Sequence, residues 1–484
     1  MNLEVYPVGL ARYDAQGNPK TNPNAGLDAA WYPGSATSVQ LTVNPDFAEI
    51  EADPTIVNLG RYETWLPEHR PFFTEGAGVF NLGPYGTDIF YSRRIGKPLE
   101  DGGAAPIAAG LKGITQFDRW EVGALDAAVL ETTLVGTDTA LVSNYSVLRV
   151  RRSILRNSSL GILYAGKENR LMNNRAAGVD AAWRQGDFDA DGDIAYAQYQ
   201  RDALLLRSPA GRFAFGWQGD VFNAGMVYVN VPHKFDVQDI GYEPVKHEYY
   251  TVNAGALFRN LGVLRDIGPG ASVTRSHDND DLVHHYYTTN GNVSLNLDFK
   301  NNWGAGASGS LGDVNAYVYD PPRLDSTFHY LNAGWSAWFW TDQSFPFNIY
   351  FYGTGTGRGY DYLRHYFAPN AYGDLTMNWR LAPSFTLSAD VQNTVEFDTL
   401  DRIGEMDWII TPTINYALTK DLQVMLSSEV VPGDSEMRLS FLFSWNLRPK
   451  TWLYLAWIER HELTPGLPLL EHVGVLKLRY LFYF

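Results

Sequence analysis

The chain has 484 residues, of which 14 % are aromatic and 19 % are charged, and its formal net charge is −16. This charge, without any block of basic residues, argues against nucleic acid as a partner, and the lack of cysteine excludes disulfides and thiolate metal sites. No run of about 20 apolar residues occurs, so a helical membrane protein is excluded. The 14 tryptophans and 29 tyrosines suit the two aromatic girdles of a membrane barrel.

Apolar and polar residues alternate along many segments, as in Val293 to Lys300 and Leu439 to Leu447. This period of two predicts an all-β fold, a transmembrane antiparallel β-barrel of about 24 strands, with 22 to 26 as the range. The alternative for the same pattern is a soluble β-sandwich or propeller. The predicted strands begin near Leu3, Leu27, Ser38, Ala105, Trp120, Asn144, Ser159, Asn174, Asp193, Gly211, Gly225, Tyr249, Val263, His285, Trp303, Tyr330, Phe347, Ala371, Phe385, Met406, Leu422, Glu436, Thr451 and Gly474.

The connections between these strands are of two kinds. Those after even-numbered strands are mostly tight turns, such as Pro33 to Ser35 and Arg448 to Lys450, whereas those after odd-numbered strands are mostly long, such as Phe235 to His247 and Val314 to Thr327. Outer-membrane barrels have short periplasmic turns and longer external loops. We therefore expect both termini in the periplasm.

One connection is far longer than an ordinary loop and divides the chain into residues 1–46 (first strands), 47–104 (an inserted segment) and 105–484 (the remaining barrel). The inserted segment must bury its many aromatic residues, either inside the lumen as a plug or outside as a self-packed cap. We favour the lumen, because a barrel of this width would otherwise hold an open channel. Its charged candidates for this role are Arg70, Glu75, Arg93 and Arg94.

The start of the chain carries several motifs. They are Asn44 to Pro54, Val57 to Leu59, Arg70 to Gly76, Phe90 to Gly96, Leu148 to Arg152, Asn157 to Ser159 and Asn174 to Asp180. In these motifs the chain resembles a family of bacterial outer-membrane β-barrels of unassigned function, whose members often follow a β-sandwich similar to family-nine carbohydrate-binding modules. The resemblance implies fold and location, but no activity, because the family has none assigned. The sandwich is not part of this sequence, so no carbohydrate role is carried over.

Four further cations are predicted to point into the lumen. Arg149 and Arg151 share one strand, Lys477 and Arg479 share the last one, and their apolar neighbours face lipid. They could bias the lumen toward anions. The alternative, which we favour, is that the arginines pair with acidic residues of the inserted segment, such as Glu49, Glu51 or Asp53.

An acidic stretch provides a candidate metal site. Asp187, Asp189, Asp191 and Asp193, with Gly192, match the first positions of a calcium-binding EF-hand loop. Gln198 stands where the loop needs a bidentate carboxylate, and no helices flank the stretch. We therefore expect an acidic turn and no cofactor, with calcium as the alternative.

The chain ends on a strand with alternating aromatic residues, Tyr480, Phe482 and Phe484, which we interpret as the signal for the barrel-assembly machinery. The N-terminus lacks a signal peptide, so we expect the sequence to be a mature or truncated form. The expected partners are outer-membrane lipid, lipopolysaccharide, that machinery and other envelope proteins.

No nucleophile elbow, zinc motif, phosphate loop or dinucleotide fingerprint occurs, so we do not expect an enzyme. The leading hypothesis is a porin-like, export or uptake channel whose lumen is gated by the inserted segment. The alternative is a sealed structural barrel that anchors a secretion or electron-transfer complex. A hydrolase at the outer rim would need converging carboxylates or histidines.

Overall fold

The computed structural model describes residues 2–17, 20–45, 65–83, 87–96, 105–133, 139–243, 245–279, 286–320, 324–361, 365–433 and 435–484. Over these residues the chain forms antiparallel strands and very little helix. In chain order the strands are β1 (Asn2–Asp14), β2 (Thr21–Gly34), β3 (Thr37–Val43), β4 (Ile107–Phe117), β5 (Trp120–Thr133), β6 (Thr139–Ile154), β7 (Ser158–Glu168), β8 (Met172–Gln185), β9 (Phe188–Arg201), β10 (Leu204–Gln218), β11 (Phe222–Asn230), β12 (His247–Ala256), β13 (Phe258–Arg259), β14 (Leu264–Asp278), β15 (Tyr287–Phe299), β16 (Gly304–Asp320), β17 (Leu324–Trp340), β18 (Phe347–Asp361), β19 (Tyr366–Ala382), β20 (Phe385–Phe397), β21 (Ile403–Thr419), β22 (Leu422–Val431), β23 (Glu436–Arg448), β24 (Thr451–Glu462), β25 (Leu469–Arg479) and β26 (Phe482–Tyr483).

These segments make a closed barrel of 24 strands. Each strand pairs with its neighbours in sequence, β12 and β13 follow one another along β14, and β25 and β26 follow one another along β1. The seam is closed by pairs such as Val8 with Arg479, and by backbone hydrogen bonds between Leu3 and Phe484. The predicted strand number is confirmed, and no sheet edge is left open along this seam.

The two faces of the wall differ as the alternation predicts. On β6, the side chain of Leu148 is 47 % exposed, whereas that of the next residue, Arg149, is 3 % exposed. Large exposed apolar residues lie on the same outer face around the barrel, among them Leu111, Leu130, Ile162, Val179, Ile194, Phe213, Val252, Val273, Val293, Leu331, Trp335, Trp379, Leu426, Leu455 and Leu476. A closed barrel with an apolar exterior is the architecture of a transmembrane β-barrel.

The chain ends lie at the rim with the short turns. Connections at this rim are two to six residues long, whereas the opposite rim has the two longest, 44–106 and 231–246. The long loop predicted between Val314 and Thr327 is wrong, because β16 continues to Asp320 and β17 begins at Leu324. The reason is that the apolar alternation continues there, and Val314, Ala316 and Val318 are buried on the inner face.

Candidate lumen and inserted segment

The described part of the inserted segment, residues 65–83 and 87–96, has little regular structure. It contains a helix, α1 (Pro71–Thr74), which starts with proline at its first turn, and two 3₁₀ turns, Ala77–Phe80 and Ser92–Arg94. Gly76 joins the helix to the next turn with a φ of +71°, which favours glycine. These residues form no separate plug domain, so the expected plug is not confirmed.

Arg70 connects the two described stretches of the segment. Its guanidinium donates to both carboxylate oxygens of Glu68, at 2.7 and 2.6 Å, and to the carbonyl oxygens of Ser92 and Ile95. It also lies over the ring of Phe73, 4.3 Å from the centroid. The two described stretches are therefore joined by charge-assisted hydrogen bonds from one side chain.

The segment packs against one side of the barrel, on the face opposite the exposed apolar residues. Three inner-face glycines allow this close approach, because a Cβ would meet Phe72 at Gly110, Val79 at Gly123 and Leu82 at Gly178. Inner alanines on the following strands belong to the same buried cluster, namely Ala165, Ala176, Ala195, Ala197 and Ala210. The segment and the connection 231–246 together cover the inner face of β4 to β11.

Polar contacts fix the segment to the wall and to the long connection 231–246. Lys112, buried on β4, donates to the carbonyl oxygens of Phe72 and Glu75. The Arg94 Nε donates to the carbonyl oxygen of Gly241 at 2.8 Å, and Tyr145 donates to the carbonyl oxygen of Arg94. Asp88 and Tyr242 form a short antiparallel bridge.

The opposite wall is polar. Inner-face side chains of β15 to β22 include many half-buried Ser, Thr, Asn, Gln and Asp residues, and several hydrogen-bond to one another across strands. Examples are Ser308 with Ser336 at 2.7 Å and Thr376 with Asp390 at 2.7 Å. The barrel interior is therefore asymmetric, with a packed apolar side and a polar side.

The predicted lumen arginines lie on the inner face and pair with neighbouring strands. Arg149 makes an ion pair with Asp180, and the two side chains meet over Gly161 of the strand between them, where a Cβ would collide with both. Arg151 pairs with Glu121 at 2.6 Å. The partners that we favoured, Glu49, Glu51 and Asp53, lie outside the described residues.

The other predicted site residues of the inserted segment and of the last strand are in separate places. Arg93 donates to the carbonyl oxygen of Pro67, and Glu75 accepts a long bond of 3.4 Å from Tyr32. Lys477 and Arg479 face Leu10 and Val8 on the inner side of the seam. The structure therefore brings Glu75 and Arg479 near one another, around a cavity described below.

The acidic stretch is a turn followed by a strand. Asp187 lies in the turn with Gly186, whose φ is +59°, and β9 then carries Asp189, Asp191 and Asp193 on alternate positions. Asp191 pairs with Arg212. An extended backbone cannot wrap these carboxylates around one ion, and the described residues contain no group of three His, Asp or Glu side chains able to hold a metal.

The C-terminal aromatics lie on the outer side of the seam. The rings of Tyr480 and Phe482 are 4.8 Å apart, and Phe482 and Phe484 are exposed. Arg448 donates to the Tyr480 hydroxyl. Their role as an assembly signal stays a prediction.

Sequence reasoning missed two groups of inner-face residues. One is Lys112, and the other is Lys167, which pairs with Glu131 at 2.9 Å and with Asp239 of the connection 231–246 at 3.4 Å. A single lysine among small or apolar residues at the inward-facing positions of a strand is the sequence signal that could have indicated each of these two residues.

Comparisons with known proteins gave one family model and several solved structures. A family model described as a domain of unknown function, DUF5916, matches residues 1–107. This match covers the first strands and the inserted segment, where most of the motifs lie, and says nothing of a carbohydrate-binding module. No curated protein matches the chain. In the described residues no helix is long and apolar enough to cross a membrane.

Several solved structures are similar over the whole chain. A copper transporter, OprC, has a TM-score of 0.46 at 9 % identity, covering 99 % of this chain and 83 % of its own. The FrpB iron transporter from Neisseria meningitidis has a TM-score of 0.46 at 11 % identity, covering 100 % of this chain and 82 % of its own. OpdO from Pseudomonas aeruginosa has a TM-score of 0.32 at 8 % identity, covering 100 % of this chain and 96 % of its own. At these scores the assignment of a closed transmembrane β-barrel of 24 strands rests on the pairing and the apolar exterior of this chain itself.

Proposed function

We propose that this protein is a non-enzymatic channel of the bacterial outer membrane, and that the inserted segment controls its lumen. The observation that carries the proposal is the asymmetric interior. The inserted segment and the connection 231–246 pack on β4 to β11, and the half-buried polar side chains of β15 to β22 offer a hydrated path beside them. Pores select and conduct by the width and polarity of such a path.

The orientation of the barrel is part of this proposal. Short turns and both chain ends share one rim, as on the periplasmic side of outer-membrane barrels. The inserted segment and the connection 231–246 then start from the external rim. A solute would meet them before it reaches the polar wall.

The inserted segment is a gate of moderate stability rather than a fixed plug. Among the described residues, Lys112 and Tyr145 bond it to the wall, Arg94 bonds it to the connection 231–246, and apolar packing on small residues adds to these contacts. Local units with few anchoring bonds open more easily than the strands that carry them. A sealed barrel that anchors an envelope complex is the competing function.

Conductance in planar bilayers tests the proposal. We would compare the intact protein with a variant in which residues 49–103 are replaced by a short Gly and Ser linker, which leaves β3 and β4 in place. We expect small, fluctuating currents from the intact protein and larger, steady ones from the variant. An intact protein that never conducts, beside a variant that does, would favour the sealed barrel, and silence from both would refute a channel.

A further inference from the structure

A cavity of about 260 Å³ lies inside the barrel near the rim that holds the chain ends. It lies between the seam strands β1 and β25, the neighbouring strands β2 and β3, and the helix α1 of the inserted segment. Its walls include the aromatic residues Tyr6, Tyr32 and Trp452. Its volume is just below the roughly 300–1,000 Å³ of drug-sized ligand pockets, so it suits a smaller solute.

Arg479 brings unused hydrogen-bond donors to this cavity. Its guanidinium lies 4.1 Å from the centroid of the Tyr6 ring, which holds the group in place. Its Nε is buried without a hydrogen-bond partner among the described residues. The ion pair with Asp28 is 3.9 Å long, beyond hydrogen-bond distance, and Asp28 itself accepts a bond of 2.7 Å from Thr42.

Gln40 lies in the same wall, and its side-chain amide also has unused hydrogen-bonding groups. Its side chain is only 6 % exposed and lines the cavity, yet no other described residue hydrogen-bonds to its amide. A buried amide in this state leaves its two donors and its carbonyl acceptor available to a ligand.

The other charged groups at the cavity are already satisfied or stand at its edge. Glu4 accepts bonds from Tyr6 at 2.6 Å and from Lys450 at 2.5 Å, so this pair is neutral as a unit. Glu75 is exposed, and among the described residues its carboxylate accepts only the long hydrogen bond from Tyr32. The unused donors inside the cavity are therefore those of Arg479 and Gln40, with the carbonyl oxygen of Gln40 beside them.

We propose that this cavity binds the carboxylate of a small organic solute, with Arg479 and Gln40 as the donors. A planar guanidinium matches a carboxylate with two parallel hydrogen bonds, and the aromatic walls would pack against a short carbon skeleton. This proposal rests on the proposed channel function, because it names the class of solute that the channel would carry.

Calorimetric titration of the full-length protein in detergent micelles tests the binding without requiring any current. The probes are propionate and propionamide, which have nearly the same shape but differ in charge. We expect saturable binding of propionate, roughly tenfold tighter than that of propionamide, because only the carboxylate makes charge-assisted bonds. Folding is checked by the heat-dependent mobility of the barrel on gels.

Two charge-removing variants make the test specific. Arg479→Gln should weaken propionate binding about tenfold or more, whereas Lys477→Gln, on the same strand and face but outside the cavity, should leave it within about twofold. Equal binding of the two probes, no binding of propionate, or an unchanged Arg479→Gln variant would overturn the proposal. A barrel that conducts but does not bind propionate would refute this site alone, and one that binds without conducting would refute the channel alone.

Discussion

Lys112 is one of the barrel-wall side chains that hold the inserted segment. Its ammonium is buried and donates to two carbonyl oxygens of the segment, at Phe72 and Glu75. Removing the donor would leave these acceptors without a partner in a largely dry environment, which costs about 1–3 kcal/mol for each group.

We therefore expect Lys112→Met to loosen the inserted segment without unfolding the barrel. Limited proteolysis of the purified protein should cleave within residues 65–96 at least about tenfold faster than in the wild type. Lys300→Met, at an exposed turn, is the control and should behave like the wild type. Unchanged cleavage of the Lys112 variant would show that its two bonds do not hold the segment.

Arg149 and Arg151 lie on the same face of β6 and differ in burial. Arg149 is 3 % exposed and pairs with Asp180, whereas Arg151 is 42 % exposed and pairs with Glu121. Breaking a buried ion pair leaves one charge buried without a partner and lowers the free energy of unfolding by about 3–5 kcal/mol, whereas an exposed pair contributes less than about 1 kcal/mol. Guanidinium unfolding in lipid vesicles should show this difference between Arg149→Gln and Arg151→Gln, and equal losses would contradict it.

Glu68 makes the inserted segment sensitive to acid. Burial would raise the pKa of its carboxyl, but the hydrogen bonds and charge of Arg70 outweigh burial and hold that pKa below its ordinary value of 4.5. A lowered pKa contributes stability that is present above the ordinary pKa and is lost as the pH falls through the lowered one.

Proteolysis with an acid-active protease should therefore accelerate below about pH 4.5 as the Glu68 carboxylate is protonated. In Glu68→Gln the segment should be cleaved faster already at neutral pH, with a smaller further change on acidification. A variant that keeps the full acid response of the wild type would exclude Glu68 as its source.

At the scale of elements, β5 approaches the inserted segment closely at Gly123. A Cβ there would lie 2.8 Å from Val79 and 3.0 Å from Phe80. Gly123→Val should displace the segment and raise its protease sensitivity, whereas Gly113→Val on β4, where no atom lies within 4 Å, should not. If both variants resist protease equally, the segment does not pack on β5 as described.

The strands could be predicted from the sequence because lipid and lumen impose opposite chemistry on alternate residues. Trp120, Phe347, Phe385, Leu422, Glu436 and Thr451 are starts of predicted strands and of observed ones. The partners of Arg149 and Arg151 could not be predicted, because they depend on register between strands, which a single sequence does not contain.

The position of the inserted segment was harder to predict than the barrel. Its burial follows from its aromatic residues, but the side of the lumen that it covers depends on Gly110, Gly123, Gly178 and a row of alanines on distant strands. The cavity at Arg479 also depends on closure of the seam, which brings residues of both chain ends together.

For the whole molecule, the central claim is that water fills one side of the lumen and the inserted segment covers the other. Because the chain contains no cysteine, single cysteines can map this directly. Suitable positions are Ser308 and Thr376 on the polar wall, Ala165 and Val129 under the segment, and Leu311 on the outer face.

The decisive measurement is the rate at which each single-cysteine variant, reconstituted in lipid vesicles, reacts with a charged, membrane-impermeant thiol reagent. We expect rapid reaction at residues 308 and 376 and slow reaction at residues 129, 165 and 311. Replacement of residues 49–103 by the linker should make residues 129 and 165 reactive as well. Slow reaction at residues 308 and 376 would contradict the account, because the polar wall would then be closed to water.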